Sequence, residues 1–169
     1  MNDSTVQYYI DHLHLEPHVE GGYFAETYRS PDVVQVYRDG QAEPLVRNAC
    51  TEIYFLLRGE DFSAFHRLKS DEMWHFYDGW GLTLHLIEAE GAYRAVHMGK
   101  DLERGEVFQT VLPAGCWFGA TLDAPGAFAL VGCSVAPGFD YQDFELADRA
   151  ALLAAYPQHA VIITRLTHA

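Results

Sequence analysis

The run His66-Arg67-Leu68-Lys69-Ser70-Asp71-Glu72-Met73-Trp74-His75-Phe76-Tyr77-Asp78-Gly79 does most to decide how this chain folds. Alternate residues of a β-strand face the same side, so Glu72 and Trp74 share one face and His75 lies on the other. If His66 points into the interior of a barrel, the run places a histidine and a carboxylic acid on neighbouring inward faces. It therefore predicts two strands with a polar pair between them.

Composition limits the classes of function. The chain has 169 residues, 49% of them hydrophobic, which is enough for one folded domain over 1–169. It carries 24 acidic against 11 basic residues, a formal net charge of −13. Nucleic acids and anionic membranes repel such a surface, so neither is expected as a partner.

Cysteine usage and hydropathy predict the compartment. The three cysteines are far apart, form no C-x-x-C motif and suggest neither a disulfide framework nor a zinc knuckle. The polar N-terminus has no basic segment before an apolar run, and no apolar stretch approaches the roughly 20 residues of a membrane span. We expect a cytoplasmic protein.

The order of local patterns predicts an all-β fold. Helical spacing of apolar residues indicates a short helix to about Leu13. Ten short runs rich in aromatic and β-branched residues then follow between 23 and 135, which is typical of a sandwich or barrel. Asp143 is a candidate N-cap for one helix to about Ala155, and 161–166 is predicted to form a last strand.

The turn Gly79-Trp80-Gly81 predicts that strand 82–88 folds back against strand 72–78. In a simple register His75 then lies opposite His85 on the outer face. A one-residue slip would reverse that facing, so the orientation of both histidines stays open.

His66 and Glu72 are the candidate catalytic residues. A neutral imidazole can take a proton near neutral pH, and a neighbouring carboxylate orients the ring. Trp74 and Phe118 would supply apolar walls, as in most small-molecule sites. Cys116 is predicted to be a small core residue rather than a nucleophile, because no basic group stands beside it.

The stretch Glu20–Ser30 is a second candidate region. Its Gly21-Gly22 pair permits a tight turn or a close backbone approach. Arg29 could grip a carboxylate or phosphate with both nitrogens, and Glu26 lies on the same strand. The alternative is an edge strand with an exposed Glu–Arg pair.

Two other regions are predicted to stay outside the site. The acid-rich segment 140–155 should pack outside the barrel without a catalytic role. His12, His14 and His18 are expected on a solvated surface, because they fall at a helix end and in the loop after it.

Several ordered motifs resemble the Cupin-5 family, a branch near the rhamnose-epimerase-like cupins. The matching stretches are 20–24, 26–30, 65–67, 70–72, 74–77, 113–118, 136–139 and 143–145, together with Gln109. The resemblance implies a double-stranded β-helix, the jelly-roll cupin barrel, to which the local patterns above add a short N-terminal helix and one helix near the C-terminus. It also implies a homodimer.

The same resemblance bears on metal and activity. Two of the four usual cupin metal ligands are replaced by hydrocarbon, at Leu68 and Phe118. We therefore expect no cofactor, and a divalent metal on His66 and Glu72, with His75 or Cys116 as a third ligand, stays open. Metal-free sugar-nucleotide epimerases of the related branch use a histidine base on a strand with the motif His-x-Gln. Here His66-Arg67-Leu68 takes the place of that motif, so the resemblance implies the role of base for His66 alone.

These observations predict a protein that binds a small polar metabolite, such as a sugar, inside its barrel. The first hypothesis is metal-independent isomerisation or epimerisation with His66 as base. The alternatives are a non-catalytic binding module and a metal-dependent oxygenase, isomerase or lyase. The predicted ligand-binding residues are Trp74, Phe118, Gln109, Cys116, Arg29, Glu26 and His75.

Overall fold

The computed structural model describes residues 3–38, 40 and 42–168. Helix α1 spans Asp3–His12, as the apolar spacing predicts. Within the described residues, the strands that follow are β1 (Glu16–Pro17), β2 (Tyr23–Arg29), β3 (Val33–Val36), β4 (Leu45–Asn48), β5 (Thr51–Arg58), β6 (Phe62–Leu68), β7 (Asp71–Gly79), β8 (Leu82–Ile87), β9 (Tyr93–Met98), β10 (Gln109–Leu112), β11 (Trp117–Leu122), β12 (Phe128–Ala136) and β13 (Phe144–Leu146).

Two antiparallel sheets build the barrel. One has the strand order β1-β2-β5-β12-β7-β10, and the other has the order β13-β6-β11-β8-β9. Their inner faces share one apolar core, in which Phe55 and Trp74 of the first sheet meet Leu84 and Phe118 of the second. Burial of these side chains is the main force that holds the sheets together. The predicted all-β jelly roll is confirmed.

The predicted hairpin between β7 and β8 is wrong. β7 pairs with β12 and β10, whereas β8 pairs with β11 and β9 in the other sheet. His75 therefore lies opposite Gly132 and His85 opposite Gly119. In a jelly roll, strands that follow one another in sequence can belong to different sheets, so the Gly79 turn crosses between sheets.

His75 and His85 both face away from the interior of the barrel. Glu72 and Trp74 are buried on the inner face of β7, and His75 is half-buried on its outer face. His85 also faces outward, where its ring nitrogens contact the hydroxyls of Tyr93 and Thr121 at 2.8 and 2.9 Å.

The C-terminal region differs from the prediction in two ways. Helix α2 spans Arg149–Ala155 and is capped by Asp148, not by Asp143. Helix α3 spans Ala160–Arg165, where a strand was expected. β-Branched residues there suggested a strand, but Ile163 is fully buried while Val161 is 87% exposed, which is the burial pattern of a helix face.

Both C-terminal helices cover the outer face of the second sheet. Leu152 of α2 and Ile163 of α3 pack on Phe65, Ile87 and Trp117. Within the described residues, no helix combines the length and the apolar character that crossing a bilayer requires.

Candidate functional site

A cavity of about 560 Å³ opens between the two sheets. Its walls come from β2, β5, β6, β7 and β12, and from the segment around residues 139–144. Buried polar side chains form its floor, whereas Tyr141 at its rim is 58% exposed. This volume suits a small metabolite.

His66 lies on the cavity floor and is 3% exposed. Its Nδ1 lies 2.7 Å from the carbonyl oxygen of Ala64, which can only accept, so Nδ1 carries a proton and donates. Its Nε2 lies 3.1 Å from Oε2 of Glu20. The neutral ring therefore presents a lone pair to a carboxyl oxygen, and a proton must lie between the two atoms.

The turn before β2 holds Glu20 against β6. The backbone N–H of Ala64 donates to the carbonyl of Glu20 at 2.7 Å, and the hydroxyl of Ser63 donates to Oε1 at 3.0 Å. Gly21 has a φ of +109°, and a Cβ there would lie 2.1 Å from the carbonyl oxygen of Phe62. Only glycine permits this approach, so the Gly21-Gly22 pair positions Glu20.

His18 completes this group of side chains. The backbone N–H of Glu20 donates to Nδ1 of His18 at 3.3 Å, and that nitrogen lies 3.5 Å from Oε2 of Glu20. The ring packs edge-on to Phe24, with centroids 4.6 Å apart. Burial lowers the pKa of His18, and the charge of Glu20 opposes that effect.

Burial keeps the pair of His66 and Glu20 close to neutral. It raises the pKa of Glu20 to about 7, although His18 and the Ser63 hydroxyl act in the opposite direction. It also lowers the pKa of His66, against the opposing charge of Glu72. Both shifts favour the neutral forms, in which the carboxylic acid of Glu20 donates to the neutral imidazole of His66. Near pH 7 the two groups therefore share a single proton.

Glu72 is the second buried acid of the floor. It is 6% exposed, and its Oε2 accepts no hydrogen bond from any residue in the described part of the chain. Burial raises its pKa to about 7, and the charge of Glu20 adds to that effect. His66, Trp74 and Cys133 favour the carboxylate, but burial outweighs them.

The family model described as "Cupin superfamily (DUF985)", Cupin_5, matches residues 7–147. The chain belongs to the Cupin_5 family.

Proteins with similar sequences carry names that state no activity. The "Uncharacterized protein YML079W" of Saccharomyces cerevisiae is 33% identical over 149 residues, which are 83% of this chain and 74% of that protein. The crystal structure of protein SO0799 from Shewanella oneidensis is 42% identical, covers 99% of both chains and has a TM-score of 0.86. A hypothetical protein from Leishmania major is 39% identical, with a TM-score of 0.86 over 96% of this chain and 98% of that one.

A distant likeness supports the fold alone. A variant of the oxalate decarboxylase of Bacillus subtilis is 14% identical with a TM-score of 0.55. The match covers 93% of this chain and 38% of that one.

The cavity floor of this cupin does not fit a metal ion. The ligand positions of the cupin motifs hold Leu68 and Phe118 beside His66 and Glu72, and both nitrogens of His66 already have partners. No group of three or more His, Cys, Asp or Glu side chains in the described ranges is arranged to hold an ion. A catalytic metal usually needs three protein ligands.

Glu26 and Arg29 line the cavity near its rim, as a tightly bonded pair. Nε and Nη2 of Arg29 donate to the two carboxyl oxygens of Glu26 at 3.0 and 2.7 Å. Nη1 donates to Oδ1 of Asn48 and to the carbonyl of Phe139, each at 3.0 Å. The guanidinium is therefore already largely occupied in the free protein.

Trp74 and Phe118 lie in the core behind the cavity. The rings of Phe118 and His66 have centroids 4.1 Å apart, and Trp74 packs on Phe55 at 5.6 Å. They support the floor from behind instead of forming the predicted walls.

Three predicted ligand-binding residues lie away from the cavity. Gln109 is exposed on β10, the edge strand, and His75 contacts the Ser134 hydroxyl on the outer face at 3.1 Å. The thiol of Cys116 donates to the carbonyl of Ile87 at 3.4 Å, and burial raises its pKa to about 11. None of the three can touch a ligand bound on this floor.

Sequence reasoning missed His18 and undervalued Glu20. The side chain of His18 is only 8% exposed, so the predicted solvated surface is wrong for it, while His12 and His14 are exposed. One sequence pattern could have indicated that these two residues belong to the site. His18 and Glu20 are two positions apart and stand directly before two glycines.

The prediction that the whole segment 140–155 packs outside the barrel is also wrong for its first residues. Helix α2 packs outside the barrel, but Asp140, Tyr141 and Phe144 line the cavity. Asp143 between them is buried against two arginines, which turns its neighbours toward the cavity rim.

Proposed function

We propose that this cupin binds a small polar metabolite, such as a sugar, and catalyses a metal-independent isomerisation or epimerisation. The observation that carries the proposal is the buried contact between His66 Nε2 and Glu20 Oε2, 3.1 Å apart and beside an open cavity. One proton shared near pH 7 suits a group that must both take and return a proton.

The chemistry is a proton transfer next to a carbonyl. The pair of His66 and Glu20, in its deprotonated form, takes the proton from a carbon beside the carbonyl, and the electrons of that C–H bond form an enolate. For isomerisation, the pair returns the proton to the former carbonyl carbon, while the hydroxyl proton of the carbon that was attacked moves to the former carbonyl oxygen. For epimerisation, the enolate turns over in the cavity, and the pair returns the proton to the opposite face of the same carbon. Glu72 holds a polar group of the substrate.

Deuterium exchange tests this chemistry. The full chain is incubated in D₂O with hexoses, and NMR follows the loss of the C–H signal beside the carbonyl. The wild type and His97→Gln should exchange this proton, because His97 is exposed and bonded to Thr83 on a distant strand. His66→Gln should lose at least about 100-fold in rate, the usual contribution of a general base.

Glu20→Gln provides a second variant if His66→Gln folds poorly. It should lose the shared proton and most of the exchange while His66 stays in place. Exchange by either variant at the wild-type rate would contradict the proposed roles of His66 and Glu20.

A non-catalytic binding role is the second candidate function. It is favoured by one observation, that both ring nitrogens of His66 have partners in the free protein. Binding of a hexose without any exchange in the wild type would select this role and exclude the isomerase.

A further inference from the structure

The charge of the cavity lining limits the ligands that it can bind. Among the described residues around the cavity there are five carboxylic acids, one arginine and no lysine. The acids are Glu16, Glu20, Glu26, Glu72 and Asp140. Because Arg29 is held by Glu26, Asn48 and the Phe139 carbonyl, it has little left to offer an anion. A phosphate or carboxylate ligand would meet mainly repulsion.

Glu72 is the group that most needs a partner. A buried carboxylate is costly unless it is paired, and Oε2 of Glu72 has no donor among the described residues. A hydroxyl group would satisfy the hydrogen bond but would leave the charge unbalanced. An ammonium group would supply both the donor and the opposite charge.

The rim provides an apolar surface for the rest of the ligand. Phe139 and Tyr141 have ring centroids 5.0 Å apart, and each lies 6.1 Å from the ring of Phe144. Such rings offer apolar area against which the carbon skeleton of a small ligand can pack. Acidic and aromatic side chains therefore line one cavity, and Asp140 lies between Phe139 and Tyr141 in the sequence.

We propose that the ligand of this cavity carries a cationic amino group, which pairs with the carboxylate of Glu72 while its carbon skeleton lies against the aromatic rim. The inference rests on the proposed function in one respect, that the metabolite occupies this cavity. It names the substrate class as an amine, such as an amino sugar, and excludes phosphorylated and acidic sugars.

Two matched sets of probes test the charge preference by calorimetry on the full chain. The first set is glucose, glucose with its primary hydroxyl replaced by an amino group, and glucuronate. The second is benzyl alcohol, benzylamine and benzoate. We expect at least one amine to bind about tenfold or more tightly than its alcohol, and both anions to show no binding.

Variants connect the preference to Glu72. Glu72→Gln should remove the advantage of the amine over its alcohol, and the matched surface variant Glu103→Gln should keep it. The inference is overturned if no amine binds more tightly than its alcohol, or if the preference survives in Glu72→Gln.

This outcome is separate from that of the proposed isomerase. Amine-selective binding without deuterium exchange would sustain the ligand class and reject the catalysis. Deuterium exchange on hexoses without any preference for amines would support the catalysis and reject the ligand class.

Discussion

Two buried carboxyl groups in this molecule have opposite surroundings. Asp143 is 5% exposed and Glu72 is 6% exposed. Arg47 donates from Nε to Oδ2 of Asp143 at 2.8 Å, and Nη1 of Arg38 lies 2.9 Å from Oδ1. Oε2 of Glu72 accepts no hydrogen bond from the described residues.

The surroundings drive the two pKa values apart. Burial alone would raise the pKa of Asp143, but Arg47 and Arg38 outweigh it and hold that pKa below its usual value. Burial raises the pKa of Glu72 to about 7. Two acids with similar solvent exposure therefore differ in role. Asp143 forms a structural ion pair, whereas Glu72, whose Oε2 lacks a donor among the described residues, is an open acid that lines the cavity.

The largest predicted effect comes from breaking the paired acid. Asp143→Asn leaves two guanidinium groups facing a neutral amide, with Arg47 almost fully buried. We expect a loss of about 3–5 kcal/mol in the free energy of unfolding, measured with urea near neutral pH. Asp148→Asn is the control, because asparagine still caps α2, and it should change little. An equal loss in both variants would contradict the structural role.

Removing the charge of the open acid should have the opposite sign. The pKa of Glu72 is raised from 4.5 to about 7, so the folded state binds its proton more tightly than the unfolded chain does. Stability from this group is full below pH 4.5 and is lost as the pH rises toward about 7. Glu72→Gln should therefore stabilise the fold by about 3 kcal/mol near pH 8 and by about 1 kcal/mol near pH 5.5.

Urea unfolding of the wild type, Glu72→Gln and Glu103→Gln at those two pH values measures this difference. Glu20 has the same raised pKa and is unchanged in each variant, so part of the pH dependence should remain. A destabilised Glu72→Gln at the higher pH would show that Glu72 is paired after all.

The binding of an amine should depend on pH through the same acid. Glu20, His66 and Cys133 are the titratable groups that act on Glu72 across the cavity. Below about pH 7 Glu72 must lose its proton before it can pair, so affinity for benzylamine should fall about tenfold per pH unit. Calorimetry between about pH 5.5 and 8 tests this slope, and affinity that does not vary with pH would reject it.

A third acid, on the surface, should show the smallest effect. Glu145 pairs with Arg67 at 2.7 Å, but its side chain is 55% exposed. Water screens such pairs, so Glu145→Gln should change the free energy of unfolding by less than about 1 kcal/mol. If Glu145→Gln lost as much free energy of unfolding in urea as Asp143→Asn, burial would not explain the difference between these two acids.

Local sequence patterns predicted much of the barrel. Alternation placed Glu72 and Trp74 on one face and His75 on the other, and the turn-rich runs predicted the jelly roll. The pairing of β7 with β8 failed because strand order in a jelly roll depends on contacts between residues far apart in sequence, as with Gly132 opposite His75.

The site was predicted only in part for the same reason. Glu72 was the expected partner of His66, whereas the contact is made by Glu20, 46 positions earlier in the chain. A turn with two glycines indicates a close approach but does not name the strand that is approached. The ion pairs of Asp143 were also hidden, since Arg38 and Arg47 lie on a separate hairpin or next to it.

The pKa of the Glu72 carboxyl group decides whether this acid is open or paired. Carbon-13 labelling of the glutamate carboxyl carbons, with Glu72→Gln to assign the signal, lets NMR follow its titration in the full chain. We predict a pKa of about 7 in the free protein, which falls when benzylamine binds. A pKa near the ordinary value of 4.5 in the free protein would contradict this prediction, because it would mean that Glu72 already has a partner.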